Sequence, residues 1–349
     1  MTITSVSTLY LGNALIPTIT QADAQLTQLE TESTTGQYAD LGVQLGESAG
    51  YELSLRNSDD LLQSLTTANS LVSGGLSTTD DALNSIVSGA RSTLTQLLAW
   101  VPNSSSGANL GVTGDDAMQS LVTMANSSYD DQYVFGGINT GSSPMAAFTP
   151  GSAAETALSN DFQQQFGFSP TSAGASALTG AQVTSFLGGA FASEFSGANW
   201  TTNWSSASST DTTAEISPGQ TIQTSTNLNA GGFQPLSQAY AMLSMLGNSS
   251  LSGEAKQAVV TAATTLVNQG LSQFTAIGAQ LGEAKSQITQ ANAEMSTQIT
   301  LLNTQIGGLD NVNASQIATQ LNTLTTQIES AYQITAQLQK LSLAQYLPA

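Results

Sequence analysis

Apolar residues recur every three or four positions along three long stretches of the chain, which is the spacing of a helix that packs against another helix. The last stretch predicts a helix over Ala314–Leu347, with a nearly uncharged outer face of Gln, Thr, Ser and Asn. Its apolar positions are Ile317, Leu321, Leu324, Ile328, Ala331, Ile334, Leu338 and Leu341. This seam indicates a partner helix, either in the same chain or in a neighbouring subunit.

The two other long seams predict helices of about 65 and about 80 Å, at 1.5 Å per residue. The first starts near Tyr51 and stops before Pro102, and the second covers Leu266–Leu309. The inward positions predicted for the first are Leu61, Leu65, Ala68, Val72, Leu76, Thr79, Leu83, Ile86, Ala90, Leu94 and Leu97. Because isolated helices are weak in water, we expect the two chain ends to pair antiparallel, with the middle region at the far end.

Shorter patterns predict the remaining elements. Pro17 is expected to interrupt an N-terminal helix over Ser5–Glu32, because proline lacks the amide hydrogen that a helix interior needs. Ser217-Pro218-Gly219-Gln220 predicts the turn of a β-hairpin between Thr212–Ile216 and Thr221–Thr226. Further predicted elements are helices over Asp115–Tyr129, Thr179–Phe195 and Phe233–Leu246, and a short β-type run over Gln132–Thr140. Composition alone allows disorder for Ser205–Thr210.

The predicted fold is mainly α, a long antiparallel helical bundle from both chain ends, with a small α+β middle domain containing a β-hairpin. Three domains are expected. Residues 1–50 and 307–349 form a terminal helical pair for assembly, residues 51–140 and 233–306 a long-helix bundle, and residues 141–232 a variable outer α+β domain.

Charge is scarce and one-sided. The 349 residues carry a net charge of −19 with only five Lys and Arg, and charged residues make up 8%. Binding to nucleic acid or to an anionic membrane surface needs cations, so neither is an expected partner. The absence of Cys and His excludes disulfides, thiolate sites and His-ligated metals.

Nothing along the chain predicts a membrane span or a Sec signal. No apolar run reaches the roughly 18 residues of a transmembrane helix. Met1–Leu15 lacks the basic start and continuous apolar core of a cleaved signal peptide, so export, if it occurs, is expected by another route.

Candidate chemistry is weak. Four acidic pairs, at Asp59-Asp60, Asp80-Asp81, Asp115-Asp116 and Asp130-Asp131, allow a calcium site or paired-carboxylate catalysis. Adjacent helical residues point about 100° apart, which favours solvated helix faces instead.

Two further motifs have plain structural interpretations. Asp310-Asn311-Val312-Asn313 resembles the start of a calcium loop but lacks its glycine and closing glutamate, so a connector with Asn313 as helix N-cap is preferred. The Asn-x-Ser/Thr triplets at Asn126 and Asn248 are expected by chance in this composition. We therefore predict no catalytic, cofactor or metal residues, and no enzyme.

Six short strings lie in the two end regions of the chain, at Glu32–Gly36, Ala49–Arg56, Leu76–Leu83, Tyr133–Gly137, Ile328–Leu338 and Leu341–Leu347. Together they resemble the bacterial flagellin and hook–filament junction protein family. The first is similar to its Ser/Thr-Gly signature, the second to the start of its long second helix, and the fourth to its aromatic–Gly-Gly turn. Flagellins carry Asn-Ser-Ala…Asp-Asp before the second helix, whereas Ala39–Gly46 here fits the junction branch better.

The resemblance implies a structural subunit of the bacterial flagellum, extracellular and exported without a cleaved signal peptide. The favoured version is the hook-associated protein that joins hook to filament, with flagellin, the filament subunit, as the alternative. Implied partners are identical subunits, sister proteins of hook and filament, the flagellar export apparatus and an export chaperone. The assembly interface is expected at Leu26, Leu29, Ile317, Leu321, Leu324, Ile328, Leu338 and Leu341.

A second alternative belongs to a different class of protein. A secreted binding module could act through the middle domain, with Phe191, Trp200 and Trp204 as an exposed aromatic surface. This hypothesis requires that the three rings be accessible.

Overall fold

The computed structural model describes residues 8–102 and 110–346, with side chains for residues 15–102 and 110–337. The helices within these ranges are α1 (Thr8–Thr35), α2 (Leu41–Leu45), α3 (Ala49–Ala99), α4 (Leu110–Ala125), α5 (Ala153–Phe166), α6 (Gly180–Gly188), α7 (Ala190–Ser193), α8 (Gly197–Asn203), α9 (Phe233–Gly247), α10 (Gly253–Asp310) and α11 (Ala314–Tyr346). The strands are β1 (Ser128–Tyr129), β2 (Gln132–Tyr133), β3 (Thr213–Ser217) and β4 (Gln220–Gln223).

The chain forms two compact units. The first unit is Met1–Gln63 with Ser296–Ala349, and the second is Ser64–Met295. The mainly helical fold and the packing of long helices from both chain ends confirm the predicted fold class. The predicted division into three domains stays a prediction.

In the first unit, α1 packs against α11, which confirms the predicted pairing of the last helix with the N-terminal segment. The predicted break at Pro17 is wrong, because α1 continues through it. Proline removes one hydrogen bond of the helix. Packing against a second helix supplies most of the stability of a helix in a protein, and this outweighs the loss.

In the second unit, α3 and α10 run antiparallel, as predicted. Asn69 Nδ2 donates to Asn292 Oδ1 over 2.8 Å, and Lys285 Nζ lies 3.5 Å from Asp80 Oδ2. The partner numbers fall on α10 as they rise on α3, which is the signature of an antiparallel pair.

The buried face of α3 follows a strict seven-residue repeat, at Leu55, Leu62, Asn69, Leu76, Leu83, Ala90 and Leu97. The predicted seam is therefore correct from Leu76 onward but wrong at its start, where Leu61 is 53% exposed. The cause is Asn69, a fully buried amide that also donates to Ile216 O over 2.7 Å. Because a polar residue occupies this core position, the apolar residues alone do not show the seven-residue repeat.

Two helices of the second unit approach unusually closely. A Cβ atom at Gly114 of α4 would collide with the backbone of α9 at Ser244, and one at Gly247 of α9 would collide with Gly111. Glycine at these contacts lets α4 and α9 pack backbone to backbone. The predicted helices over Asp115–Tyr129 and Phe233–Leu246 are thus confirmed in kind, with α4 starting and ending earlier.

The middle of the second unit combines short helices with two antiparallel hairpins. The predicted hairpin is confirmed as β3 paired with β4, with Gly219 at φ +78° in the turn. The run over Gln132–Thr140 contributes only β2, which pairs with β1 across Asp130-Asp131, both at positive φ. The predicted helix over Thr179–Phe195 is divided into α6 and α7 at Gly189.

The segment over Ser205–Thr210, for which composition allowed disorder, has a defined backbone. Ser205 Oγ donates to Asn229 Oδ1 over 2.7 Å, and the Ser206 amide donates to Pro144 O over 2.9 Å. These bonds tie a Ser/Thr-rich stretch to the loops around it.

Candidate assembly surface

The predicted assembly residues with described side chains lie on the paired helices α1 and α11. Ile317 and Ile328 of α11 are 5% and 8% exposed. The others with described side chains are half-buried, namely Leu26, Leu29, Leu321 and Leu324. Leu338 and Leu341 lie outside the described side chains. The structure therefore gives the seam a partner within the chain, while contact with other subunits stays a prediction.

A short backbone ladder fixes where the two helices meet. Gln37 and Asn311 form an antiparallel bridge. On either side of it, the Tyr38 amide donates to Asp310 O and the Val312 amide donates to Gly36 O, each over 2.9 Å. The end of α1 is thereby held beside the start of α11, which makes the pair antiparallel.

An ion pair that the sequence did not indicate supports this ladder. Arg56 of α3 contacts Asp310 Oδ2 through Nη2 and Glu52 Oε1 through Nε. Asp310 is fully buried at the last residue of α10, where the helix dipole disfavours a carboxylate. Arg56 provides the opposite charge. The pKa of its guanidinium is raised, first by the hydrogen bond to Glu52 and then by the charges of Glu52 and Asp310, while burial acts in the opposite direction.

The connector between α10 and α11 ends in the predicted helix cap at Asn313. Asn313 Oδ1 accepts the amide hydrogens of Ser315 and Gln316 over 3.1 and 3.3 Å, which is N-cap geometry. Asp310 is committed to Arg56. Among the described residues, no group of three or more Asp, Glu, His or Cys could hold a metal ion.

The outer face of α11 is polar, and its hydroxyl groups already donate within the helix. Six hydroxyl groups each donate a hydrogen bond of 2.8–2.9 Å to the backbone carbonyl four residues earlier. They belong to Thr319, Thr323, Thr325, Thr326, Ser330 and Thr335. A hydroxyl that is satisfied within its own helix loses less free energy when water is removed. This face is therefore suited to being covered.

Apolar side chains also remain open on the first unit. Tyr332 and Ile334 of α11 are 53% and 48% exposed, so the predicted seam is wrong at Ile334. Ile16 of α1 is 60% exposed, and Val43 of α2 is 81% exposed. Between α1 and α11 runs an open groove of about 530 Å³, whose polar lining includes Gln25, Gln28, Gln316, Gln320 and Gln327. The pair thus offers uncharged side chains of both kinds to a partner.

The aromatic-surface hypothesis is wrong. Phe191, Trp200 and Trp204 are 0%, 1% and 1% exposed, and the two indole rings stack with centroids 6.1 Å apart. Trp200 Nε1 donates to Asn229 Oδ1 over 2.8 Å. These rings form the core of the middle region, so they cannot serve as a binding surface.

The four acidic pairs do not converge on a common site. Asp59 accepts a hydrogen bond from Gln63, Asp80 pairs with Lys285, and Asp115 accepts from Ser244. Asp130-Asp131 forms the two-residue turn between β1 and β2. The interpretation as solvated helix faces holds for Asp80-Asp81 and Asp115-Asp116, but it is wrong for Asp59, which is only 8% exposed, and the fourth pair belongs to a hairpin.

One pair of carboxylates lies in a place that the sequence did not single out. Burial raises the pKa of Asp161, on α5. Burial, and then the charge of Asp161, raises the pKa of Glu194, which accepts from Asn199 and Asn203 over 2.8 and 3.1 Å.

Two family models match the chain, and together they cover more than half of it. The bacterial flagellin N-terminal helical region matches residues 6–140, and the bacterial flagellin C-terminal helical region matches residues 264–347. The first match takes in α1 to α4 and the second takes in most of α10 and α11. No curated protein matches the chain.

A solved structure shares the fold. It is described provisionally as a flagellar hook-associated protein from Vibrio parahaemolyticus, and it matches with a TM-score of 0.51 and 10% sequence identity. The match covers 75% of this chain and 97% of that one. In the part of the chain that the structure describes, no helix is both long enough and apolar enough to cross a membrane.

Proposed function

Because the chain belongs to the bacterial flagellin family, a structural and non-enzymatic family of the extracellular flagellum, we propose that it is the hook-associated subunit that joins hook to filament. It assembles with other flagellar subunits, as the family does. The observation that carries the proposal is the paired α1 and α11, whose seam is only partly covered within one chain.

Apolar side chains of the seam that are still partly exposed can contribute free energy when a second subunit covers them. Leu26, Leu29, Leu321 and Leu324 are half-buried, so a second helix pair laid against them removes further apolar surface from water. Each Å² of apolar surface that becomes buried contributes about 25 cal/mol. Because the hydroxyls of α11 already donate within the helix, its Gln and Asn side chains are the groups that need new partners when its outer face is covered. The proposed interface is Leu26, Leu29, Ile317, Leu321, Leu324, Ile328, Leu338 and Leu341.

The junction role, as opposed to the filament role, has two lines of support. The string Ala39–Gly46, which forms α2 and its flanks, fits the junction branch better than the flagellin pattern. The likeness of fold to the Vibrio parahaemolyticus protein agrees with this choice. Flagellin remains the second candidate, since both matching family models describe flagellin regions.

The proposal includes the partners and the route. The chain leaves the cell through the flagellar export apparatus, held beforehand by an export chaperone. Outside, residues 1–50 and 307–349 pack into the inner layers beside identical subunits and sister proteins of hook and filament, and residues 141–232 face outward.

Removal of the last helix tests the assembly mechanism. Deletion of residues 314–349 should abolish junction or polymer formation while the middle region keeps its near-ultraviolet signal. In the full chain, Ile328→Asp should unfold the α1–α11 pair and thereby block assembly, whereas Ile334→Asp, at an exposed position of the same helix, should leave the pair folded. Normal assembly by the deletion variant would contradict the proposal.

Immunogold labelling decides between the two flagellar roles. A single band of label at the end of the hook supports the junction protein. Label along the whole filament would assign the chain as flagellin and reject the junction role.

A further inference from the structure

A broad groove in the second unit is lined by a set of side chains that none of the assembly features use. It has a volume of about 720 Å³ and lies among α4, the loop before α5, α5 itself, the loop after α5, and α9. Its volume falls within the roughly 300–1,000 Å³ of small-molecule sites. Its lining includes Gln119, Phe148, Glu155, Ser159, Thr171 and Met245.

The aromatic floor of the groove is held rigidly. Phe148 stacks on the buried Trp204 with ring centroids 5.3 Å apart and an angle of 11° between the planes. Phe148 is half-buried and also lines the groove, so Trp204 covers one side of the ring and the remainder is open. The face of an aromatic ring carries partial negative charge, which attracts the weakly positive C–H groups of a ligand.

The polar groups of the groove are fixed in advance. Glu155 accepts from the Gly151 amide on Oε2 over 3.1 Å and from Ser159 Oγ on Oε1 over 2.8 Å. Each carboxylate oxygen can accept a further hydrogen bond. Asp115 is held likewise by Ser244 on α9. Carboxylates that are fixed by neighbours bind a ligand without first losing freedom.

The chemistry of this lining disfavours anionic ligands. Among the described residues that line the groove there is no Lys or Arg, so it offers no counter-charge to phosphate, sulfate or sialic acid. Hydroxyl groups dominate the rest, at Thr123, Thr149, Ser159, Ser169, Thr171 and Ser244. A hydroxyl both donates and accepts, and this suits a ligand whose own groups do both.

We propose that this groove binds a neutral saccharide, with one pyranose face on Phe148 and its hydroxyls donating to Glu155 and Asp115. A volume of about 720 Å³ is large enough for a short oligosaccharide. This activity is independent of the assembly role, since the groove lies wholly in the second unit and the proposed assembly seam wholly in the first.

Titration of the full chain with neutral trisaccharides of glucose, galactose and N-acetylglucosamine tests the proposal, by calorimetry and by saturation-transfer NMR. At least one of the three trisaccharides should bind. If the natural ligand is a glycan attached to a surface, the same sugar immobilised on a surface should also capture the protein. Glu155→Gln should weaken binding about tenfold, the worth of one hydrogen bond to a charged acceptor. The matched control Gln280→Ala, at an exposed position of α10, should bind like the parent.

Because Phe148→Ala removes packing against Trp204, Phe148→Leu serves as a second variant, with circular dichroism to verify folding. A folded Phe148→Leu variant that binds as well as the parent would overturn the proposal. So would failure of all three sugars to bind at millimolar concentration, or binding of trilysine in preference to them.

Discussion

Arg56 and Asp310 are 254 positions apart in the sequence, yet the guanidinium of one contacts the fully buried carboxylate of the other. Asp310 also presents its backbone carbonyl to Tyr38 over 2.9 Å. One residue thereby ties the start of α3 and the end of α10 to the connector that follows α1. This charge contact therefore lies at the base of the α1–α11 pair.

Arg56→Ala should destabilise the first unit by about 1–3 kcal/mol, because it leaves the buried Asp310 carboxylate without its partner. Amide hydrogen exchange at Tyr38 and Val312 should accelerate accordingly. Lys285→Ala breaks a longer, partly exposed pair with Asp80 and is the control, expected to cost at most about 1 kcal/mol. Unchanged protection of both amides in Arg56→Ala would contradict this role.

Ile328→Ala should lower the free energy of unfolding of the α1–α11 pair by about 2 kcal/mol, since it empties a buried position of the seam. The loss of helix should be visible by hydrogen exchange along α11. Ile334→Ala changes the same residue type where it is 48% exposed, and it should have little effect. Equal effects of the two variants would mean that Ile328 is not part of the seam.

Gly114→Ala should destabilise the second unit by about 1–3 kcal/mol, because the added methyl group must push α4 away from α9. Gly89→Ala is the control within α3, where an added Cβ meets nothing within 4 Å. There alanine should stabilise the helix by about 0.5–1 kcal/mol. Thermal unfolding of the two variants should therefore shift in opposite directions.

Asp161→Asn should raise stability at neutral pH. Burial raises the folded-state pKa of Asp161, and burial with the charge of Asp161 raises that of Glu194, above the ordinary values of 3.8 and 4.5. The folded state thus binds protons more readily than the unfolded state. The stability linked to these protons is complete below the ordinary values and is lost as pH rises through the raised ones.

Urea unfolding from pH 4 to pH 7 measures this effect. The parent should lose stability with rising pH, and Asp161→Asn should flatten that slope. Glu283→Gln, at an exposed position of α10, should leave the slope unchanged. A parallel slope in Asp161→Asn would show that the pair does not control the pH dependence.

The long helices could be predicted because apolar residues recur along them every three or four positions. The limits of α11 and the cap at Asn313 follow from that period and from one polar residue. The same method failed at Asn69, where a buried amide occupies a core position. It also failed at Pro17, where packing against α11 outweighs a local propensity.

Other features depend on contacts between distant residues. Nothing near Arg56 in the sequence points to Asp310, and nothing near Phe148 points to Glu155 and Asp115 as neighbours. The helices α5 and α8 lie in Ser- and Ala-rich sequence without a clear period. The burial of Trp200 and Trp204 results from the packing of these short elements around them. The presence of the tryptophans in the sequence therefore led to the wrong prediction of an exposed aromatic surface.

The stacked, buried Trp200 and Trp204 have a spectroscopic consequence. Together with Trp100 they are all the tryptophans of the chain, and all three belong to the second unit. Tryptophan emission therefore reports the melting of that unit alone, whereas the far-ultraviolet signal also contains α1 and α11. Loss of ellipticity at constant emission wavelength measures the unpairing of the terminal helices, in the natural chain and without an attached dye.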